Sequence, residues 1–194
     1  MIADAARPAC VILAGGAGRR IGGRKAFVEL GGRPLIAHVI ERLAPQSAGM
    51  AINALPDPGF DDFGLPLLPD EVPGRGPLGG ILAAMDWAAR NGAARVMTVS
   101  VDTPFLPVDL VERLSASHAR ASFAATADGP HATTGLWSVD LQGSLRQALD
   151  RGARKVRDWT ASIGAEAVMF DDASAFININ TAGDLRLAEA RLAR

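Results

Sequence analysis

Cys10 to Lys25 reads CVILAGGAGRRIGGRK. It opens on an apolar run, Val11–Ile12–Leu13, and passes into a loop with five glycines (Gly15, Gly16, Gly18, Gly22, Gly23) and four cations (Arg19, Arg20, Arg24, Lys25). A short strand that is apolar on both faces suits a parallel sheet, where helices cover each side. The loop after it suits an anion. Glycine lets the backbone come close to a ligand and turn where a Cβ would block it. Successive backbone N–H groups can then converge on a phosphate, and Arg and Lys add charge. The stretch predicts an α/β domain with a phosphate cradle at the carboxyl end of its first strand.

The rest of the chain repeats that grammar. Ala9–Leu13 reads as the first strand, and Pro34–Leu43 as a helix with an apolar stripe at Leu35, Ile36, Val39, Ile40 and Leu43. Gly49–Ala54 predicts a second strand, and Leu65–Leu68 a weak edge strand because of Pro66. A second glycine-rich loop, Gly74–Gly80, precedes a helix over Ile81–Ala89. Ala94–Val101 has the composition of a central strand, and Val108–His118 that of a helix. Ala121–Ala127 and Thr133–Val139 read as strands too close in sequence for a crossover helix, so the second is expected to be antiparallel. Helices follow at Leu141–Leu149 and Lys155–Ile163, a late strand at Glu166–Phe170, and a last helix at Thr181–Ala193 with Thr181 and Asp184 placed for a capping box.

This order predicts one Rossmann-like three-layer α/β/α domain over residues 1–194, with a mostly parallel central sheet. In such sheets ligands bind beyond the carboxyl ends of the strands. The first loop, Asn53, Asp70 and Asp102 all fall at such ends. Four polar segments from distant parts of the chain are therefore expected on one rim.

Composition narrows the function classes. A chain of 194 residues can bury its own core, and 48% hydrophobic with 21% charged residues is ordinary for a globular protein. A net charge of −1 gives no global case for nucleic acid or for an acidic membrane. No apolar run reaches a membrane span, and the N-terminus lacks the pattern of a signal peptide, so a cytoplasmic location is expected. The single cysteine, Cys10, sits in the first strand and reads as a small buried residue.

Two common phosphate loops do not fit. Gly23–Arg24–Lys25–Ala26 lacks the spacing and the hydroxyl of a Walker loop. Gly16–Ala17–Gly18–Arg19–Arg20–Ile21 lacks the third glycine of a dinucleotide fold, and Asn53–Ala54 offers no ribose-binding acid. The remaining pattern, LAGGxGxRxGxxK, resembles the opening signature of the sugar- and cofactor-nucleotidyltransferases. More narrowly, the chain resembles the molybdenum cofactor guanylyltransferase family, which has a nucleotide-diphospho-sugar transferase type of fold. The fragments that carry the likeness are Leu13–Gly16, Arg19–Gly23 with Lys25, LGGRPLIAHVIERL, GPLGG (Gly76–Gly80), VDTPFLP (Val101–Pro107), HATTGLW (His131–Trp137) and FININTAGDL (Phe176–Leu185).

The resemblance implies residue roles. Leu13, Ala14 and Gly15 would contact the nucleotide through the backbone, and Lys25 its phosphates. Asn53, Asp70 and Asp102 would complete a GTP site, with Asp102 also holding Mg²⁺. Arg19, Lys25 and Asp102 would carry the catalysis. Asn178 and Asn180 would face the acceptor; His131, by its own reading, is a candidate contact for the acceptor phosphate or an ordinary loop residue. The implied substrates are GTP, bound by the N-terminal part, and molybdopterin, bound by the C-terminal part. Proteins that deliver or receive the cofactor are compatible with this, and neither nucleic acid nor membrane is implied. The chain departs from the family pattern in a loop one residue shorter, with Arg24 in place of a frequent acid, Ile21 for Met, and Ala132 and Ala182 for prolines.

Plainer readings stand beside these. His38 and His118 fall within helices and read as structural. Trp137 beside HATTG is a candidate pterin wall or a core residue. Arg151, Arg154, Lys155 and Arg157 form a solvated basic face or a contact for the acceptor phosphate. Two other functions stay open: a cytidylyl- or uridylyltransferase with a different phosphate acceptor, and a nucleotide-binding module without catalysis.

Overall fold

The computed structural model describes residues 7–15, 24–71 and 74–193. β1 (Ala9–Leu13) is followed by a two-residue hairpin, β2 (Glu29–Leu30) and β3 (Arg33–Pro34), which leads into α1 (Leu35–Leu43). Next come β4 (Met50–Asn53), β5 (Leu67–Leu68), α2 (Pro77–Arg90), β6 (Arg95–Ser100) and α3 (Leu110–Ser115). The C-terminal part adds β7 (Ala121–Thr126), β8 (Gly129–Ser138), α4 (Gln142–Asp150), α5 (Val156–Ser162), β9 (Glu166–Met169) and α6 (Ala182–Leu192).

Seven strands form one sheet in the order β5-β4-β1-β6-β8-β7-β9. The pairings β4–β5, β1–β4, β1–β6 and β7–β9 are parallel, and only β8 runs against its neighbours. Both sequence expectations hold here: a mainly parallel sheet, and one antiparallel strand at the HATTGLW segment. The weak strand is indeed at an edge. β6, read as central, is the middle strand of the seven.

Alternation in β1 shows how the layers form. Cys10 and Ile12 enter one core with Ile36, Val39 and Leu43 of α1 and Leu110, Val111 and Leu114 of α3. Val11 and Leu13 enter the other, with α2, α4 and α5. Successive strand side chains point to opposite faces, so an all-apolar strand needs a helical layer on each side. Burial pushes the Cys10 thiol up to about 12, which leaves it inert. A third, small core gathers Leu30, Leu35, Phe105, Ile179 and Ala188, and seats α6 against the hairpin.

Three boundaries differ from the sequence reading by more than two residues. β8 begins at Gly129, four residues before the expected Thr133, because Gly129–His131 also pair with β7. α2 begins at Pro77, four residues earlier than expected, because Pro77 is acceptable in a first turn and Gly79 and Gly80 are helical. α3 stops at Ser115, well short of His118. The last helix has its capping box, with Thr181 accepting from the Asp184 N–H and the Asp184 carboxylate accepting from the Thr181 N–H.

Candidate active site

The carboxyl ends of β1, β4, β5 and β6 lie side by side. Leu13 pairs with Asn53 and Ser100, and Asn53 with Leu68, so these strands finish nearly level. Beyond them lies a cavity of about 290 Å³ lined by Leu13, Gly15, Lys25, Asn53, Asp70 and Asp102, with Gly74, Gly76 and Pro77 from the start of α2. All six of the predicted nucleotide-side residues named there are thus in one place. Ala14 stands beneath them, buried, its N–H on the Asn53 carbonyl at 2.8 Å. Arg19, the remaining predicted catalytic cation, lies outside the described residues, as do Gly16–Gly23 of the loop.

The polar groups on this rim are ordered by one another. Asn53 is 5% exposed, and its Nδ2 donates to Leu68 O (2.9 Å) and Asp70 Oδ1 (2.8 Å). An amide has two such protons, so both are used inside the protein. What is left for a ligand is acceptor oxygen from Asn53 and Asp70. α2 is fitted tightly against this pair: a Cβ on Gly80 would lie 2.2 Å from Asn53 Oδ1, and one on Gly79 would lie 3.0 Å from Asp70 Oδ2. Glycine at 79 and 80 is therefore required by close approach, which explains the GPLGG segment. The approach also brings the positive end of a 14-residue helix to the cavity.

Lys25 is the hub. Its Nζ donates to Asp102 Oδ2 and to Asn180 Oδ1, both at 2.5 Å, across 77 and 155 residues of sequence. The shortened link before it does not prevent this reach. Arg24, which replaces the usual acid, takes a left-handed conformation (φ 42°) and forks onto Asp57 at 2.6 and 3.0 Å. Its guanidinium also lies 4.4 Å from the Phe27 ring centroid. Arg24 is thus a tether for the chain entering Lys25, and it points away from the cavity.

A second cavity, about 400 Å³, adjoins the first and is lined by Thr103, His131, Thr133, Lys155, Arg157 and Asn178 among others. Thr133 lines both cavities. Three extra residues on β8 create this space. Phe123 pairs with Gly135 but Ala124 with His131, so Ala132–Thr134 bulge from the ladder. β6 also loses its β8 partner beyond Thr98. The sheet therefore splits between β6 and β8 at the rim, and the bulge forms the wall.

Sequence reasoning did not foresee the bulge, although Gly135 signals it. A Cβ there would meet Trp137 at 2.3 Å, because the indole lies across that position. Trp137 is fully buried, packs on Trp159 at 5.4 Å, and is no wall of the open cleft. It acts from below: its Nε1–H donates to Thr98 Oγ1 (2.8 Å), and the Thr98 hydroxyl donates to the Thr133 carbonyl (2.9 Å).

The predicted acceptor residues separate. Asn178 joins the second cavity, where its Oδ1 accepts from Thr103 Oγ1 at 3.1 Å. Asn180 instead turns to Lys25. Between them Ile179 is fully buried in the small core, and its N–H donates to Asp102 O at 2.9 Å. His131 stacks on Phe176 (4.6 Å, 17°) with Nε2 3.0 Å from Thr126 Oγ1. Burial pulls its pKa below the ordinary imidazole value, against an opposing pull from Asp128. Of the basic cluster, Lys155 and Arg157 reach the cavity lining. His38 is structural, with Nε2 2.8 Å from Leu30 O. A larger groove of about 580 Å³ between β5, α2 and α4 contains none of the predicted residues.

Among the described residues no cluster of three or more His, Cys, Asp or Glu could hold a metal. A protein-built metal cage is not part of this arrangement. One carboxylate at a strand end, beside a space for phosphates, suits a cation such as Mg²⁺, which keeps waters and takes one or two protein ligands. No helix among the described residues is long and apolar enough to cross a membrane.

A mostly parallel α/β sheet with a lysine–aspartate pair at the strand ends, beside two adjoining cavities, is a place where a charged ligand can bind; the class of protein follows from its relatives. Residues 10–166 match the MobA-like NTP transferase domain, and the chain belongs to that family. Relatives named molybdenum cofactor guanylyltransferase include one from Cereibacter sphaeroides, 46% identical over 185 residues (94% of this chain, 95% of the relative). Another, from Rhodobacter capsulatus, is 46% identical over 189 residues (96% and 97%). Solved structures share the fold. Molybdopterin-guanine dinucleotide biosynthesis protein A from Archaeoglobus fulgidus has TM-score 0.76 at 23% identity, covering 95% of this chain and 98% of that one. The 2-C-methyl-D-erythritol 4-phosphate cytidylyltransferase from Thermus thermophilus has TM-score 0.68 at 18% identity, covering 95% and 98%.

Proposed function

We propose that this chain transfers GMP from GTP to the phosphate of molybdopterin, or of its molybdenum-loaded form, with release of pyrophosphate and formation of a guanine dinucleotide cofactor. An acceptor phosphate oxygen attacks the α-phosphorus. A new P–O–P linkage forms, and the bond from the α-phosphorus to the bridging oxygen breaks as pyrophosphate leaves. The acceptor oxygen is already anionic, so no general base is required. The barrier is repulsion between anions, which positioning and fixed positive charge can lower.

The observation that carries this reading is the Lys25–Asp102 pair on the border between two adjoining cavities. The first cavity has the features of a triphosphate half: Lys25, the N-terminus of α2 and the backbone at Gly15 for phosphates, and acceptor oxygens of Asn53 and Asp70. Such oxygens suit ribose hydroxyls or the N–H edge of guanine, which donates from N2. Arg19 of the glycine-rich loop, which lies outside the described residues, is the candidate for a further cation on the triphosphate. The second cavity, with His131, Asn178, Lys155 and Arg157, is cationic and suits an anionic acceptor. Asn180 is the side chain that links the acceptor segment to Lys25.

Asp102 is the residue that would hold Mg²⁺, which when bound supplies charge neutralisation on the triphosphate. Lys25 is held to the same carboxylate, and its ammonium neutralises phosphate charge directly. The halves correspond to the chain's order, with the N-terminal part through β6 on the nucleotide and the later part on the acceptor. The names of the relatives support guanine as the base and molybdopterin as the acceptor.

The decisive measurement is product formation from molybdopterin with GTP, CTP or UTP in the presence of Mg²⁺. Pyrophosphate release only when GTP and molybdopterin are both present, and lost in Asp102→Ala, is the expected result. Preference for CTP or UTP overturns the guanylyl assignment. GTP binding without any turnover would instead indicate a module without catalysis.

A further inference from the structure

Asp102 and Thr103 are neighbours in sequence, yet they serve different cavities: the carboxylate lines the first and Thr103 the second. Thr103 is 3% exposed. Its Oγ1 lies 3.1 Å from Asn178 Oδ1 and 3.5 Å from Asp102 Oδ1. A hydroxyl has one proton to give, and the nearer oxygen is within good hydrogen-bond distance while the farther one is marginal.

That bond has a directional consequence. The Oδ1 of an asparagine only accepts and its Nδ2 only donates. A proton from Thr103 therefore fixes which end of the Asn178 amide faces inward. Oδ1 is held at Thr103, and among the described residues Nδ2 makes no hydrogen bond within the protein. The backbone below is fixed independently. Ile179 is plugged into the small core beside Leu30, Leu35 and Phe105, and its N–H is on the Asp102 carbonyl at 2.9 Å. Ile179 sets where Asn178 starts, and Thr103 sets how its side chain is turned.

We propose that Thr103 is a positioning residue for the acceptor: it holds Asn178 so that the amide NH₂ is presented to the second cavity as a donor to an anionic phosphate oxygen. The acceptor identity rests on the function proposed above. The orientation of Asn178 does not.

Four full-length variants test it: Thr103→Val, which keeps the shape and removes the hydroxyl, Thr103→Ser, which restores it, Asn178→Ala, and the double variant Thr103→Val/Asn178→Ala. With molybdopterin and GTP, Thr103→Val is expected to raise the acceptor KM about five- to tenfold, the scale of one hydrogen bond, with the GTP KM within about twofold of wild type. Thr103→Ser is expected to return the acceptor KM to near the wild-type value. In the Asn178→Ala background, Thr103→Val should add nothing further. An equal rise in both KM values, no rescue by serine, or additive effects would overturn the proposal.

A second readout needs no turnover. The side-chain amide pair of Asn178, recognised in nitrogen-15 spectra by its loss in Asn178→Ala, should shift in Thr103→Val and return in Thr103→Ser. Titration with inorganic phosphate should move that pair more in wild type than in Thr103→Val. An Asn178 pair unmoved by Thr103→Val refutes the positioning role. If the amide behaves as expected while molybdopterin and GTP give no product, the proposed function fails and the positioning role stands.

Discussion

The two cavities meet at one rim but are built by different means. The first sits where parallel strands end level, and its side chains are locked by partners: Asn53 on Leu68 and Asp70, Lys25 on Asp102 and Asn180. Its shape depends on regular structure and on two glycines that let α2 close in. The second exists because regular structure fails, where Ala132–Thr134 leave the β7–β8 ladder and β6 runs on past Thr98 without its β8 partner. Its cations, Lys155 and Arg157, come from the segment before and into α5 rather than from a strand end. A triphosphate is a fixed charge pattern that a rigid rim can match. A wider space needs a break in the ladder, and a bulge supplies it without dismantling the sheet.

If this contrast is functional, variants of each half should move different kinetic parameters. Asp102→Ala carries the largest expected effect, since the residue stands on the border and is paired with Lys25. Turnover should fall by about 10³-fold or more, measured as pyrophosphate release. Lys25→Met should lower it by about 10²–10³-fold and raise the GTP KM. A Lys25 variant that altered only the acceptor KM would break the division of roles.

Gly80→Ala comes next. Its methyl would strike the Asn53 amide, so α2 or Asn53 must shift. The expected cost is about 1–3 kcal/mol of stability, visible as a lower Tm, with a roughly tenfold higher GTP KM and an unchanged acceptor KM. Trp137→Phe is a gentler test of the other half. It keeps an aromatic core residue and removes the donor to Thr98, leaving Thr133 less firmly held. About 1 kcal/mol of stability and a few-fold change in the acceptor KM are expected, with GTP affinity unchanged.

The smallest effect is a pH dependence. Burial lowers the His131 pKa in the folded protein, so between that value and the ordinary one near 6.5 the unfolded chain binds more protons. Stability from this group is present above about pH 6.5 and is lost as pH falls through the folded value. Denaturation curves from pH 7.5 to 5 should show a downward slope that His131→Phe reduces. A steeper slope in the variant would contradict a partly buried imidazole whose pKa is lowered by burial.

Much of the first cavity was legible in the sequence for a physical reason. A residue just after an apolar run is at a strand end, and in a parallel sheet strand ends converge. Asn53, Asp70 and Asp102 needed nothing more than that. Even here a role was sharpened by contacts: the amide of Asn53 has both N–H groups occupied by Leu68 and Asp70. The second cavity was less legible. Asn178 was named through the family likeness and His131 as one of two readings of a loop histidine, but the bulge depends on how two strands fall out of register, and no local pattern sets that. Trp137 looked like a cleft residue because of its sequence neighbours, and its ring in fact lies across Gly135 within the core.

The sequence by itself determined the α/β class, the direction of β8, the edge position of β5, the capped last helix and the polar positions at the strand ends. Each follows from short-range rules: two-fold alternation, loop length, proline's missing N–H and the reach of a capping side chain. Tertiary structure alone decided that Asn178 and Asn180, two residues apart, bond to different partners on the two sides of the rim. It also decided that Lys25 reaches Asp102 despite the short link, and that the Thr103 hydroxyl donates to Asn178 Oδ1 at the second cavity. Those contacts span 75 to 155 residues of chain, beyond the reach of any short-range rule, and Ile179, buried in the small core with its N–H on the Asp102 carbonyl, holds the Asn178–Asn180 segment beside them.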